Sequence, residues 1–489
     1  MLSTRSGLTL SMHNDTQVFP SVPAALTSQS LISHAGLNVL TSFLDAVGFA
    51  NLSEDRLSQF VPAQAIHRPG GILGSLAVML AGGGEHVSDL DVLRNSPGLF
   101  GPVPSNATVS RFVERATVQP EAFAYGSATL MRSLRSRIWK AAGKRNPAIL
   151  ATKLDPLILD IDATLTTSHS EKELATGNYK GGFGHAPMVV SLDYGKDNGT
   201  GEVLVAELRA GSKTANNAKD HIRVLDKALA QLPEEMSNKD GNLDTERILV
   251  RTDSAGASRE FLNHLHSLGL QFSTSFALPV PNERFIHWIN DKKHWEAALD
   301  QHGNQRHDAW VIDATQVIKL KDYPDGTRLY LRAEPLHPGA NATLFDVDGH
   351  RVTAFLTNAP RYNVAFLDAR HRARARCENR IKTLKNSGMG KLPFHAIAAN
   401  QLWTDLAMLA MNLVAWLQLV ILPTGHTAGV WDMKRWRYRL FSIAGKLISS
   451  ARKRRLLIPA SAPESHVFIA LIEGTTLLRQ RWRNGHLAA

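Results

Sequence analysis

The chain has 489 residues, of which 44% are apolar and 20% are charged, and its formal net charge is +11. This composition excludes a disordered chain, and the length predicts roughly two to four folded units with ample core. The single cysteine, Cys377, excludes an internal disulfide and favours a reducing, cytoplasmic compartment. No secretory signal is expected, because the first 20 residues lack an apolar segment of signal-peptide length.

The positive charge is concentrated at the end of the chain. From residue 370 onward, 20 Lys and Arg stand against five Asp and Glu, a balance of +15. The first 369 residues hold 35 against 39, a balance of −4. Such asymmetry predicts a surface for a polyanion, either nucleic acid or an anionic membrane.

The first third of the chain is predicted to be helical. Residues 1–28 are rich in Ser and Thr and are interpreted as a loose arm. Apolar residues then recur at helical spacing across 29–150, which we interpret as a helical DNA-binding domain with Ser105 or Asn106 capping its last predicted segment. A helix-turn-helix with residues 109–115 as its probing segment is one interpretation, and a bundle that does not bind DNA is the other.

Short apolar runs bounded by polar turns replace the helical pattern over 151–279. Three predicted strands are followed by a helix, a strand, a second helix and a final strand. This order is typical of an α/β protein with a mixed sheet flanked by helices, and it is the order of a ribonuclease-H-like fold. The strands are LILDIDATL, MVVSLDYG, EVLVAELR, ILVRTDS and QFSTSFALP, and the helices cover about 216–231 and 258–268.

Residues 280–360 are predicted to form a β-rich insertion, with strands WVIDATQVI, RLYLRAEP, ATLFDVDG and RVTAFLTN. Helical spacing resumes over 361–425, the predicted second part of the core, and 426–489 is predicted to be a basic helical C-terminal region. The longest apolar stretch, 406–422, contains Asn412 and Gln418 and therefore indicates a buried helix rather than a membrane span.

Two carboxylates close the first predicted strand. Asp160 and Asp162 are two positions apart, so they share one strand face and could hold a divalent cation. The segment also resembles the opening motif of haloacid-dehalogenase-like phosphatases, with Asp160 as nucleophile, Asp162 as acid/base and Thr164 in support. That alternative rests on one motif of four, because no late strand offers an acidic pair.

Two further carboxylates have suitable surroundings. Asp253 follows an apolar strand and is succeeded by small residues that would let a phosphate backbone approach. Glu378 lies among cations at spacings of three, four and seven, which place them on one face of a single predicted helix. Those neighbours are His371, Arg374, Lys382 and Lys385.

Taken together, these motifs resemble the DDE transposases of bacterial insertion sequences. Their last catalytic residue lies in a signature of Tyr, two residues, Arg, three residues, Glu, six residues and Lys. Arg374, Glu378 and Lys385 have the required spacing, and His371 replaces the Tyr. The resemblance extends over most of the chain and implies that Asp162, Asp253 and Glu378 form the catalytic, metal-binding triad.

The resemblance also implies a function. It is metal-dependent cleavage at the ends of an insertion sequence followed by strand transfer into target DNA, with two Mg²⁺ or Mn²⁺ ions as cofactors. The implied partners are terminal inverted repeats, target DNA and a second copy of the chain on paired ends, with no membrane. The implied location is the bacterial cytoplasm, in association with the nucleoid. A catalytically silent, DNA-binding relic of such an enzyme is the alternative, although all three carboxylates are present.

Further residues are expected to contact DNA. By the resemblance, a Trp of the insertion stacks on a displaced base, and Trp310 is preferred over Trp288 and Trp295 because it opens a strand. A packing role in the core is the competing interpretation for each of the three. Phosphate contacts are expected from His371, Arg374, Lys382 and Lys385 and from the terminal cluster Arg452, Lys453, Arg454 and Arg455. A solvated basic face is the competing interpretation of that cluster.

Overall fold

The computed structural model describes most of the chain. It covers residues 31–169, 171–215, 217–278, 288–289, 291–336, 339, 346, 349–360, 362–450, 453–485 and 487. The predicted arm 1–28, Arg452 and most of the predicted strand ATLFDVDG lie outside the described residues.

The described α-helices fall into an N-terminal group, a middle pair and a C-terminal group. They are α1 Asn38–Ala46, α2 Phe49–Leu57, α3 Pro69–Gly82, α4 Asp91–Arg94, α5 Pro97–Phe100, α6 Asn106–Val118, α7 Pro120–Ala142, α8 Pro147–Leu150, α9 Ala218–Leu229, α10 Arg259–Ser267, α11 Val364–Arg372, α12 Ala375–Leu384, α13 Ile397–Val420, α14 Met433–Trp436 and α15 Ser465–Arg483.

The described strands form one large sheet and two small ones. They are β1 Leu31–Ile32, β2 Leu157–Ala163, β3 Thr166–Thr167, β4 Thr176–Gly177, β5 Phe183–His185, β6 Met188–Asp193, β7 Glu202–Glu207, β8 Ile248–Thr252, β9 Gln271–Phe276, β10 Glu296–Leu299, β11 Gln305–Asp313, β12 Arg328–Pro335, β13 His350–Thr357, β14 Gly445–Ser450 and β15 Lys453–Leu457.

Helices α1 to α8 confirm the helical character predicted for the first third of the chain. Helix α6 begins where the sequence suggested, because the Ser105 hydroxyl accepts a hydrogen bond from the Thr108 amide at 3.2 Å. Its apolar face, including Val109 and Phe112, is buried in the main core.

The large sheet has nine strands in the order β10-β11-β12-β13-β9-β8-β2-β6-β7. At its centre β2 pairs in parallel with β8 and antiparallel with β6. Strands β7-β6-β2-β8-β9, with α9 and α10 between them in sequence, have the element order that the sequence predicted for a ribonuclease-H-like core. The mixed α/β fold is therefore confirmed.

The β-rich segment interrupts this core in sequence but extends its sheet in space. Strand β13 pairs antiparallel with β9 through Ala354 opposite Phe276, and β12, β11 and β10 follow outward. Helix α11 packs against β10 and β11. The chain therefore leaves the inserted strands at β13, beside the core strand β9, and continues into α11 and α12.

The prediction that residues 426–489 are helical is wrong for one segment. Strands β14 and β15 form an antiparallel hairpin, and β14 also pairs with β1 at the start of the described chain. The pairing of β14 with β1 and β15 provides long-range hydrogen bonds that a helix could not make. These bonds outweigh the local preference for a helix that the apolar spacing indicated. Helix α15 packs against α1, so the end of the chain closes onto the N-terminal helices.

Helix α13 joins the N-terminal helices to the sheet, since it packs on α3, α7 and β7. By length and composition it could cross a membrane, but 89% of its most apolar 18-residue window is buried inside the protein. Its polar residues pair with the backbone of the sheet-edge strand β7: the Asn412 side chain accepts from the Val203 amide and donates to the Val203 carbonyl, both at 2.8 Å. The predicted buried helix is confirmed.

Candidate active site and nucleic-acid interface

Two of the three predicted carboxylates lie at the C-terminal ends of two neighbouring strands of the sheet. Asp162 is near the end of β2, and Asp253 immediately follows β8, its parallel neighbour, in which Thr252 lies opposite Ile161. The Asp253 side chain accepts a hydrogen bond from the Ala255 amide at 3.0 Å, which caps a short turn. Gly256 is required in that turn, because a Cβ there would come within 2.3 Å of the Thr252 hydroxyl oxygen.

Glu378 reaches the same place from helix α12, which packs on β2 and β6. Asp162 and Glu378 line a cleft of about 380 Å³ together with Lys382 and Lys385. We call it the carboxylate cleft. Glu378 also lines a neighbouring cavity of about 550 Å³ that includes Ser254, the residue after Asp253.

The electrostatics of Asp162 reflect this convergence. Burial raises its pKa to about 6, and the charges of Asp253 and Glu378 add to the increase, while Arg374 opposes it. Like charges raise the pKa of a carboxylate only when they are close, so Asp253 and Glu378 both lie near Asp162. Asp162 and Glu378 thus line one cleft, and Asp253 is close enough to act on Asp162 from the neighbouring strand.

Arg374 forms an ion pair with one of these carboxylates. Its Nη2 lies 3.2 Å from the Asp162 Oδ1, and both side chains are largely buried. Its Nε and Nη2 atoms are buried without a hydrogen-bond partner of good geometry. Arg374 also lines the 550 Å³ cavity beside Glu378. Its free donors are therefore suited to a phosphate oxygen that enters the site.

The single helix predicted across residues 371–385 is wrong in one respect. It is two helices, α11 and α12, separated by Ala373 and Arg374, where bonds of the tighter i to i+3 type run from the Arg374 amide to the His371 carbonyl and from Cys377 to Arg374. His371 and Glu378 therefore lie on different helices, although both line the 550 Å³ cavity with Arg374.

His371 instead packs against β9. Its Nδ1 lies 2.8 Å from the Ser273 hydroxyl, its Nε2 lies 3.1 Å from the Ser275 hydroxyl, and its ring stacks on Phe355. Burial first, and then the charges of Arg251 and Arg374 among others, lower the pKa of His371 to about 3. The ring is therefore neutral, and a phosphate contact would require it to give up one of these two hydrogen bonds.

The two predicted lysines remain at the cleft. Lys382 is exposed on α12, and the Lys385 Nζ donates to the Leu165 carbonyl at 2.8 Å. Burial and the nearby Lys180 lower the pKa of Lys385. Lys385 also lines a cleft of about 850 Å³ with Lys434, and Lys382 lines one of about 470 Å³ with Arg435. A chain of basic clefts therefore flanks the carboxylates.

The donor set suits a divalent cation of the magnesium type, because all three side chains are carboxylates. The raised pKa of Asp162 is what a bound cation would relieve. Within the described residues, however, no three acidic, His or Cys side chains are close enough together to hold a metal ion. Arg374, rather than a third carboxylate, faces Asp162 in this arrangement.

Asp160 excludes the phosphatase alternative. Its side chain is 0% exposed, and both oxygens accept hydrogen bonds from Arg251, at 2.7 and 2.8 Å, while Arg380 lies 3.2 Å away. A carboxylate enclosed in this way has no path to a substrate phosphorus. The interpretation of Asp160 as a nucleophile is therefore wrong.

Comparison with known proteins supplies the family. The family model described as transposase DDE domain group 1 matches residues 16–480, nearly the whole chain. The chain belongs to this DDE transposase family. It is a DNA transposase, an enzyme of metal-dependent DNA cleavage and strand transfer.

Comparison with curated sequences and with solved structures adds two findings. No curated protein matches the chain in sequence. Among solved structures the transposase is similar to a chain of a piggyBac transposase synaptic complex with hairpin DNA, with a TM-score of 0.37 and 10% identity, covering 83% of this chain and 79% of that one.

The expectation that Trp310 opens a strand is wrong, because β11 begins at Gln305; Trp310 of the transposase lies in the second half of that strand, opposite Ala333 of β12. It is partly exposed, and its ring meets His350 edge to face, with centroids 5.0 Å apart. Trp288 and Trp295, in contrast, pack against the main hydrophobic core. Trp310 thus remains the better placed of the three for a base, and that role stays a prediction.

The terminal basic cluster lies on the hairpin. Lys453, Arg454 and Arg455 are exposed on β15, and the Arg454 Nη1 donates to the Gly98 carbonyl of α5 at 3.0 Å. The hairpin thus presents its cations from the surface of the N-terminal helices of the transposase.

Sequence reasoning missed a group of charged residues behind the site. Arg251 is fully buried although it stands in the middle of the apolar run ILVRT, and it contacts both Asp160 and Asp193. Arg380, Arg251 and Arg376 hold the pKa of Asp193 well below its usual range, although burial opposes them. A charged residue inside an apolar strand is the signal that could have indicated this group.

Proposed function

We propose that the transposase cuts DNA at the ends of its element with Asp162, Asp253 and Glu378 as the ligands of catalytic metal. The observation that carries this proposal is geometric: Asp162 and Glu378 line one cleft, and Asp253 follows β8, the parallel neighbour of the strand that carries Asp162. Each carboxylate comes from a different element of the core, which is the arrangement that family membership leads us to expect.

Two Mg²⁺ or Mn²⁺ ions are the cofactors that we propose. Hard carboxylate oxygens favour these ions, and such a pair supplies Lewis-acid stabilisation of phosphoryl oxygens and activation of water or a 3′-hydroxyl. Burial raises the pKa of Asp162 only to about 6, so this carboxylate is still mostly ionised at neutral pH, and the turn after β8 holds the Asp253 side chain in place. In our proposal Arg374 turns from Asp162 to a DNA phosphate when the metal enters.

The DNA backbone is proposed to follow the basic clefts. Lys382 connects the carboxylate cleft with the 470 Å³ cleft, and Lys385 connects it with the 850 Å³ cleft. Lys434 and Arg435, which are neighbours on α14, are exposed and line one of these two clefts each. Cations at this spacing around an acidic centre favour a polyanion held by its phosphates.

The substrates would be terminal inverted repeats and target DNA, and the assembly a homodimer that pairs two ends. Cut-and-paste transposition requires both ends in one complex, which is the reason for proposing the dimer. The positive balance of the chain from residue 370 onward supports a site of action on DNA, which we place at the nucleoid of a bacterial cytoplasm.

Strand cleavage on a plasmid carrying the element's terminal repeats tests this proposal. Asp162→Ala, Asp253→Ala and Glu378→Ala should each lower Mg²⁺-dependent nicking by a factor on the order of 100 or more while leaving DNA binding in place. Asp240→Asn, which removes an exposed carboxylate from a surface turn, is the control and should cut normally.

Undiminished nicking by Glu378→Ala would reject the triad. Binding without cutting by the unmodified chain, in both Mg²⁺ and Mn²⁺, would instead identify a catalytically silent relic.

A further inference from the structure

Five charged side chains, all buried except Arg376, form a cluster directly behind the carboxylate cleft. Two are acids, Asp160 and Asp193, and three are arginines, Arg251, Arg376 and Arg380. Arg251 binds both Asp160 oxygens and reaches Asp193 at 2.9 Å. Arg380 reaches Asp160 at 3.2 Å and Asp193 at 2.8 Å, and Arg376 reaches Asp193 at 2.9 Å. We call this group the arginine–aspartate cluster.

The cluster joins the elements that carry the proposed triad. Asp160 lies two residues before Asp162 on β2, and Arg251 lies two residues before Asp253 at the end of β8.

The third element is helix α12. Arg376 and Arg380 lie two residues on either side of Glu378. Two residues correspond to more than half a turn of helix, so these arginines leave α12 in a direction far from that of Glu378. Each triad member therefore has a cluster member as its second neighbour.

The cluster also reaches beyond these elements. The Arg251 Nη1 donates to the Arg370 carbonyl near the end of α11 at 2.6 Å, and the Arg380 Nε donates to the Thr200 carbonyl at 2.8 Å. Gly201 allows this approach, because a Cβ there would lie 2.7 Å from the Arg380 Nε. The break between α11 and α12 is thus held from both sides.

Stability alone is a poor reason for such a cluster. Removing charges from water is costly, and buried ion pairs are often replaced by apolar side chains without destabilising the protein. Hydrogen bonds depend on direction as well as distance, whereas apolar contacts do not. A network of them can therefore fix one relative placement of the elements that it joins more strictly than apolar packing can. In this chain those elements are β2, β6, β8 and α12.

We propose that the arginine–aspartate cluster is a positioning device that sets the relative placement of Asp162, Asp253 and Glu378 from behind. Its members act on the triad through the backbones of β2, β8 and α12, and this role is separate from the place of Arg376 and Arg380 in the lining of the 470 Å³ cleft. The inference rests on the proposed triad.

Metal binding without DNA is the direct test, measured as the Mn²⁺ dissociation constant by calorimetry on the full chain. Arg251→Lys keeps the charge but cannot make the two-pronged hydrogen bond to Asp160. We expect it to weaken Mn²⁺ binding by about tenfold or more and to lower the cleavage rate at saturating DNA, with little change in affinity for terminal-repeat DNA.

A matched control is available in another buried pair. Arg135 of α7 pairs with Glu202 of β7 at 2.9 Å, and both side chains are fully buried. Arg135→Lys makes the same chemical change away from the triad, so it should lower the melting temperature but leave Mn²⁺ binding unchanged.

A second substitution that restores Mn²⁺ binding distinguishes a positioning role of the cluster from a general loss of folding. Asp193→Asn leaves three arginines with one acid and should weaken Mn²⁺ binding, and adding Arg376→Gln should restore part of it, because the balance of charge returns. Arg376 is 37% exposed, so Arg376→Gln alone is expected to fold and to weaken Mn²⁺ binding by a smaller factor even if Asp193→Asn does not fold.

Folded Arg251→Lys and Arg376→Gln proteins with unmodified Mn²⁺ binding would overturn the positioning role. So would an Mn²⁺ affinity in Arg135→Lys that is reduced as much as in Arg251→Lys. Failure of the triad itself is a separate result, since Asp162→Ala, Asp253→Ala and Glu378→Ala would then bind Mn²⁺ normally.

Discussion

The Arg374 guanidinium lies 3.2 Å from the Asp162 carboxylate, so the cation predicted to hold a DNA phosphate faces the carboxylate predicted to hold metal. Metal and Arg374 therefore compete for the same oxygen. A DNA phosphate that attracts Arg374 would free Asp162 for a cation, which couples substrate binding to metal binding in the proposed site.

Replacing Arg374 should consequently have opposite effects on the two ligands. At pH 8, Arg374→Gln should bind Mn²⁺ more tightly without DNA, by up to about tenfold, because the cation that competes for Asp162 is removed. The same variant should bind terminal-repeat DNA more weakly and cut it more slowly. Calorimetry and a gel-shift assay measure the two affinities, with Arg259→Gln, which removes an exposed cation of α10, as the control. Weaker binding of both ligands would contradict the competition.

Metal binding should depend on pH through Asp162. Its pKa is raised from 3.8 to about 6, so the folded protein holds a proton at this site between those values and the unfolded chain does not. The effect of Asp162 on stability therefore becomes less favourable as pH rises from about 4 to about 6. In the same window Mn²⁺ affinity should increase, and it should level off above about pH 7. Calorimetry from pH 5 to 8 should show the Mn²⁺ affinity rising with a midpoint near pH 6, the pKa of Asp162. An Mn²⁺ affinity that does not change with pH would contradict this prediction.

The Glu202 carboxylate should be a major source of stability. It accepts hydrogen bonds from the Tyr194 hydroxyl, from Arg135 and from the indoles of Trp139 and Trp416, all within 3.3 Å. Glu202→Gln leaves the Arg135 charge buried without its partner, so it should lower the free energy of unfolding by about 3–5 kcal/mol.

Glu207, at the other end of β7, provides the comparison. Its partners Arg223 and Lys227 are 45% and 55% exposed, so Glu207→Gln should cost about 1 kcal/mol or less. Chemical denaturation of both variants gives the difference, and equal decreases in the free energy of unfolding would contradict the distinction.

The exposed cations of β15 should contribute affinity rather than catalysis. Changing Lys453, Arg454 and Arg455 together to Gln should weaken DNA binding and reduce its dependence on the logarithm of salt concentration by about 0.9 for each DNA phosphate that these cations neutralise. The cleavage rate at saturating DNA should stay unchanged. Lys153→Gln removes an exposed cation from outside the hairpin and should leave the salt dependence as it was.

Much of the core could be predicted from sequence because its signals are local. Apolar runs of strand length ending in Asp162 and Asp253 indicated both the strands and the edge of the sheet where they meet. The spacing of Arg374, Glu378 and Lys385 indicated the third element, and family membership supports the same interpretation.

What could not be predicted depends on distant contacts. Asp160 and Asp162 look alike in sequence, yet Asp160 is buried by Arg251 and Arg380, which lie 91 and 220 residues away. The break at Ala373 and Arg374 leaves the apolar pattern unchanged, so it is not visible as a helix end. The hairpin of β14 and β15 depends on pairing with β1, at the opposite end of the described chain.

The central claim is that Asp162, Asp253 and Glu378 surround a common metal site. Iron-mediated cleavage of the polypeptide tests it most directly: Fe²⁺ replaces the native ion, and ascorbate with peroxide generates radicals that cut the backbone beside the metal. We predict three cuts, near residues 162, 253 and 378, all suppressed by excess Mg²⁺ and all abolished in Glu378→Gln. Cuts confined to one of these positions, or cuts that persist in Glu378→Gln, would contradict a shared site.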